Sequence, residues 1–140
     1  MFKVGEVSEI LGINPQTIYF YERIGLIPSP QRTEAGYRLF SQDDLERISF
    51  IIRGKSLGLT LAEIQDILEL KHQRSLTCQA VYERLNGKLT QIRDKIDKLQ
   101  ALHDELLPIV QECQTHLDRT NSEQQCVILD NYSHKHPPTP

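Results

Sequence analysis

The stretch CQAVYERLNGKLTQIRDKIDKLQALHDELLPIVQEC, residues 78–113, decides the architecture. Alternating steps of four and three pick out Cys78, Tyr82, Leu85, Leu89, Ile92, Ile96, Leu99, His103, Leu106, Val110 and Cys113. A 4-3 stripe kept up over about five heptads, with Lys, Arg, Asp and Gln between, predicts a coiled-coil seam more than a globular core face. Within it, His103 reads as a register-fixing polar residue rather than a ligand. Both ends of the stripe are cysteines. A continuous helix rises about 1.5 Å per residue, so Cys78 and Cys113 of one chain stand about 52 Å apart, against a zinc–sulfur bond of about 2.3 Å. Antiparallel pairing with a second copy, the two-fold axis crossing near Lys95 and Ile96, brings Cys78 of one chain level with Cys113 of the other. Two equivalent sites then lie at the ends of the rod. One cysteine on an apolar stripe is more often a small buried hydrophobe than a ligand. Two that end a seam symmetrically, with Cys126 following in a polar segment, favour ligation. Pro108 takes the donor from the carbonyl of Asp104, which costs about 3 kcal/mol in a regular helix and predicts a kink or a break before Cys113.

Outward from the rod, the N-terminal half reads as short helices. Val4 to Leu11 predicts a helix with Val4, Val7, Ile10 and Leu11 inward. Gly12-Ile13-Asn14 is a tight turn, and Asn14 as N-cap with Pro15 in the first turn starts a second helix reaching about Ile24 and stopping at Gly25. Helix, three-residue turn and helix match the spacing of a helix-turn-helix. Leu26 to Phe40, with Pro28, Pro30 and Gly36, suits a two-stranded wing. Ser41 to Asp44 opens a third helix carrying Leu45, Ile48, Ile51 and Ile52, and Thr60 with Glu63 is a capping box for a fourth, ending near Leu70. The expected organisation is a head over 1–70, a polar linker over 71–77, the dimerisation helix over 78–113, and a loop with a short apolar turn over 114–130. In that turn Val127, Ile128 and Leu129 are expected to dock on the rod. A disordered tail over 131–140 completes the chain.

The totals set limits. The 140 residues hold 16 Lys+Arg against 19 Asp+Glu. Residues 1–70 carry 7 basic and 10 acidic side chains, and residues 71–140 carry 9 of each. No polyanion-binding excess exists, so nucleic-acid contacts must come from local arrangement. No apolar run approaches membrane-spanning length and the start lacks a signal core, which predicts no membrane partner and a cytoplasmic location. Three cysteines, an odd number, then suit reduced thiols. A catalytic Cys–His pairing, a Ser-centred motif and a Gly-rich phosphate loop are all missing, which argues against an enzyme. An architectural DNA-binding dimer is a further reading.

Thr17-Ile18-Tyr19-Phe20-Tyr21-Glu22-Arg23-Ile24-Gly25-Leu26-Ile27, Gly36-Tyr37-Arg38-Leu39-Phe40 and Leu57-Gly58-Leu59-Thr60-Leu61-Ala62-Glu63-Ile64 resemble the MerR family of bacterial transcription regulators, a likeness covering about residues 3–113. It implies a mainly α protein with a winged helix-turn-helix head, an antiparallel coiled-coil homodimer and a C-terminal metal-binding loop. The implied partners are double-stranded promoter DNA with an overlong spacer and RNA polymerase, which starts once the regulator distorts that DNA. The branch with cysteines at both ends of the dimer helix and one in the following loop senses zinc, cadmium, lead or mercury. Cys78, Cys113 and Cys126 fall on those places. Monovalent copper sensors lack the first cysteine, so Cys78 argues against copper. A twelve-residue loop after Cys113 shifts weight from mercury toward the other three metals.

With Ile18 inward, Gln16, Tyr19, Phe20 and Arg23 project outward from the second helix. The Gln16 amide can read a base edge and Arg23 suits phosphate. Arg32, Tyr37, Arg38 and Lys55 are the expected wing and third-helix phosphate contacts. Where the family usually carries arginine this chain has Tyr19, and Ile52 stands where a basic residue is frequent; both changes weaken the salt-dependent part of binding. The family resemblance implies that three thiolates suffice for mercury or lead, whereas zinc takes a fourth ligand. His116 is the candidate, with Asp118 behind it, and His134 with His136 forms a weaker accessory pair. The alternative within the family is a regulator whose cysteines sense oxidants or electrophiles.

Overall fold

The computed structural model describes residues 1–119 and 125–130. His134, His136 and the expected tail lie outside the described residues. In chain order the elements are α1 (Val4–Leu11), α2 (Pro15–Arg23), β1 (Gln31–Arg32), β2 (Arg38–Leu39), α3 (Gln42–Ser56), α4 (Leu61–His72) and α5 (Cys78–Arg119). They fall into two compact units, residues 1–84 and 85–140.

Local chemistry starts three helices of the first unit. Asn14 Oδ1 accepts from the backbone N–H of Gln16 at 2.8 Å, and Pro15 occupies the first turn of α2. Ser41 and Asp44 cap α3 reciprocally, at 3.1 and 2.8 Å. Thr60 and Glu63 repeat that box on α4, at 3.1 and 2.9 Å. Each box satisfies two orphan donors of a first turn. Gly25 closes the α2 end at φ 78°, where a side chain would be strained. β1 and β2 pair antiparallel, Gln31 opposite Leu39 and Arg32 opposite Arg38. The chain start joins the far end of this wing, since Phe2 and Phe40 exchange backbone hydrogen bonds of 2.8 and 2.7 Å.

These pieces enclose one core: Val7, Ile18, Tyr21, Leu26, Ile27, Phe40, Leu45, Ile48, Ile51, Leu59, Ile64, Ile67 and Leu68. Burial also holds the Tyr21 hydroxyl above its ordinary pKa, so it stays protonated. Arg47 Nε donates to the carbonyl of Leu26 at 2.8 Å and ties α3 to the segment after α2. α3 and α4 approach closely at Gly54: a Cβ there would lie 2.8 Å from Cγ1 of buried Ile64. Ile10, expected inward, is exposed. At about 100° per residue it lies some 60° to one side of Val7, while Val4 and Leu11 lie on the other.

Two element bounds differ from expectation. α4 runs on through Lys71 and His72, leaving 73–77 as the connection; there Arg74 takes φ 57° and Ser75 N–H reaches the carbonyl of Leu70 at 2.8 Å. α5 does not end at Cys113 but continues to Arg119, since residues 114–119 contain no glycine or proline to stop it. It also runs through Pro108 without a break. Asp104 and Pro108 are exposed, so water can take up the carbonyl that proline leaves without a donor.

Candidate functional site

Two candidate sites emerge, one on the head and one at the far end of α5. On the head, Ile18 and Tyr21 are buried, and Gln16, Phe20 and Arg23 are exposed on the opposite side of α2. The Arg23 guanidinium lies 5.6 Å from the centroid of the Phe20 ring, an arrangement that steadies a cation without neutralising it. In the wing, Arg32 Nη1 donates to the carbonyl of Gly36 at 2.8 Å, and Thr33 and Tyr37 exchange hydrogen bonds across the tip. Tyr37 stands out at 70% exposed. Lys55 is exposed in the last turn of α3. Among the described residues, neither Arg23 nor Lys55 is ion-paired.

Arg38 and Tyr19 are placed differently from the other six. Arg38 turns toward α2, donating from Nε and Nη2 to the Glu22 carboxylate at 3.1–3.3 Å. Its guanidinium also lies 4.4 Å from the Tyr19 ring centroid. The Glu22 hydrogen bond is the first cause of its raised pKa. Reading the sequence did not disclose this bridge, because its partners lie sixteen positions apart on different elements.

Along α5 the stripe side chains Leu85, Leu89, Ile92, Ile96, Leu99 and Leu106 are all exposed in the single chain. His103 is exposed too, with Nδ1 3.2 Å from Asp104 Oδ1; this contact, ahead of one from Gln100, holds the Asp104 carboxyl below its usual range. Cys78 is the first residue of the helix and exposed, next to Thr77, whose Oγ1 accepts from Ala80 N–H at 3.1 Å.

In the second unit, Cys113 and Cys126 are neighbours. Burial, and then the neighbouring Cys126, push the Cys113 pKa up, so a metal arriving there displaces a proton. All three cysteines are free thiols. His116 is exposed on the extended end of α5, not in a loop. Among the described residues no three His, Cys, Asp or Glu side chains of the single chain gather into a metal-holding group. Residues 128–130 form a helical turn in which Ile128 is buried at 3% exposed. Val127 and Leu129, expected to dock with it, are exposed: on one short turn only one of three consecutive side chains can face inward. No described helix is long and apolar enough to cross a membrane.

The chain is similar to known proteins in sequence and in structure. Residues 2–71 match the family description "MerR HTH family regulatory protein", and residues 45–109 match "MerR, DNA binding". The uncharacterized HTH-type transcriptional regulator slr0701 of Synechocystis sp. is 42% identical over 130 residues, 93% of this chain and 95% of that protein. The mercuric resistance operon regulatory protein of Bacillus cereus is 38% identical over 134 residues, 96% and 98% of the two chains. The crystal structure of the transcription regulator PbrR691 from Ralstonia metallidurans CH34 in complex with lead(II) superimposes with a TM-score of 0.80 at 32% identity, covering 94% and 99%.

Proposed function

Since the chain belongs to the MerR family of helix-turn-helix transcriptional regulators, proteins that bind DNA and are not enzymes, we propose that it is a metal-responsive activator that works as a homodimer. The observation that carries this reading is the neighbouring thiols of Cys113 and Cys126, in a chain whose third cysteine opens the same helix as Cys113. The pair supplies two soft ligands. Cys78 of the partner subunit, delivered by antiparallel pairing of α5, supplies the third. The register that sets Cys78 level with Cys113 also sets Leu85 opposite Leu106, Leu89 opposite Leu102 and Ile92 opposite Leu99. Apolar residues thus meet apolar residues along the rod, and a contiguous exposed stripe of this kind calls for a partner.

The ligand is a divalent soft or borderline metal: zinc, cadmium, lead or mercury. Thiolate ligands select such ions. Three sulfurs complete the shell for lead or mercury, and zinc would recruit a fourth ligand, for which His116 is the candidate. The earlier weight against mercury came from a twelve-residue loop, and α5 takes up six of those residues. The mercuric and lead-bound relatives support the softer metals.

On promoter DNA, α2 enters the major groove with Gln16 at base edges and Tyr19, Phe20 and Arg23 beside it. Arg32, Tyr37 and Lys55 hold the flanking backbone. Metal bound between subunits favours the arrangement of the two heads that twists an overlong spacer, and RNA polymerase then initiates. This is a population shift, so metal must bind that arrangement more tightly than the resting one.

Titration under reducing conditions tests the proposal. Thiolate-to-metal absorption should saturate at two ions per dimer, and Cys78→Ser should abolish it. Saturation unaltered by Cys78→Ser would refute the shared site. A second reading, oxidant sensing, draws on the same thiol pair; it predicts a Cys113–Cys126 disulfide on peroxide treatment and no response to metal.

A further inference from the structure

We propose that Arg38 is a positioning residue of the DNA-binding head: its guanidinium clamps the wing to the recognition helix through Glu22 and Tyr19, and does not neutralise phosphate. The inference rests on the DNA-binding reading above and deepens it. Its basis is what each part of the guanidinium already does. Nε and Nη2 form a two-pronged grip on the Glu22 carboxylate, the fork geometry that gives charge-assisted pairs their direction. One face lies over the Tyr19 ring at 4.4 Å. The two side chains of the pair are only 26% and 15% exposed, so solvent and salt screen them less than an open surface pair.

The consequence is electrostatic as well as mechanical. A DNA phosphate approaching Arg38 meets the Glu22 carboxylate beside it, and the pair presents no net charge. Arg23 and Lys55, without a carboxylate partner among the described residues, keep their full charge for the backbone. Arg38 sits on β2, next to the tip that carries Tyr37 and opposite Arg32. Tyr19 and Glu22 sit on α2 between Gln16 and Arg23. The clamp thereby sets the spacing between groups that meet bases and groups that meet the neighbouring backbone. Lysine cannot replace it: a point charge on a flexible stem offers neither the fork nor the flat face.

The test uses the full-length protein and a duplex that it selects from a random-sequence pool, with affinity measured over a range of salt concentrations. Arg38→Lys and Arg38→Gln should each lose about ten-fold in affinity, because the fork is lost in both. The slope of log affinity against log salt should stay at the wild-type value in Arg38→Lys, which keeps the pair neutral, whereas Arg38→Gln bares the Glu22 carboxylate and can only flatten it. Arg23→Gln calibrates the readout, flattening the slope by about 0.9 for one phosphate contact. Glu22→Gln should steepen it, since Arg38 is then released as a free cation. Arg38→Lys at wild-type affinity, with only Arg38→Gln weakened, would identify a plain phosphate contact and overturn the proposal. Wild-type affinity in both Arg38 variants would overturn it too. If Arg38→Gln fails to fold, Glu22→Gln decides: a steeper slope supports the clamp and an unchanged slope refutes it. Failure of the wild-type protein to select any duplex would remove the DNA reading and the clamp together.

Discussion

The head and the long helix treat their apolar side chains in opposite ways. In residues 1–84, thirteen hydrophobic side chains close into one core, and three helices begin on side-chain caps from Asn14, Ser41 and Thr60. On α5, the leucines and isoleucines of the 4-3 stripe are exposed in the single chain. Apolar area removed from water contributes about 25 cal/mol per Å²; the head has gained that contribution within one chain, and the stripe gains it only against a second surface. One region is therefore complete by itself, while the other is, on the proposed pairing, half of a structure.

Sharp substitutions should separate the two. The largest effect is expected from charges in the middle of the stripe. The double change Ile92→Asp with Leu99→Asp places like charges opposite each other in the proposed register, and sedimentation should show a monomer at concentrations where wild type is dimeric. Circular dichroism should still report a folded head; a dimer that survives would deny the seam. Next comes a core truncation. Ile48→Ala should lower head stability by about 2–5 kcal/mol through lost burial plus a cavity, read as an early denaturant midpoint. Gly54→Ala follows, at about 1–3 kcal/mol, because its methyl meets buried Ile64 and one helix must shift. The smallest effect is expected from Thr60→Ala, about 1 kcal/mol for a lost cap. If any of these three head variants changed the dimer constant as strongly as the stripe variant does, the division between the regions would fail.

How much of this was legible in the sequence followed from how local each signal was. Caps act over three residues, so Asn14-Pro15, Ser41 with Asp44, and Thr60 with Glu63 announced α2, α3 and α4 at their true starts. The 4-3 stripe is regular enough to mark α5 over most of its length. Its end was not legible: residues 114–119 lose the apolar period, yet nothing in them breaks a helix already formed, and propagation is far easier than nucleation. Ile10 failed for a related reason, since an eight-residue helix offers too few turns to locate the centre of its buried face.

The sites divide along the same line. Spacing alone singled out Cys78 and Cys113 as the two ends of one stripe. The association of Cys126 with Cys113 was implied by family likeness, because no helical or strand period connects those positions. The Glu22–Arg38 clasp was invisible, as it depends on how the wing folds back on α2, and Arg38 by itself reads as one more basic residue near DNA.

The central claim is that each metal site is built from two chains, and a mixed dimer tests it most directly. Pairing a Cys78→Ser subunit with a Cys113→Ser subunit leaves one end with its full set: Cys78 from the second chain, Cys113 and Cys126 from the first. The account predicts one metal ion per mixed dimer, bound as tightly as in wild type, and none in either mutant homodimer. A Cys78→Ser homodimer that still binds metal would show that each chain builds its site alone, and that result, or a mixed dimer that binds no metal, would contradict the account.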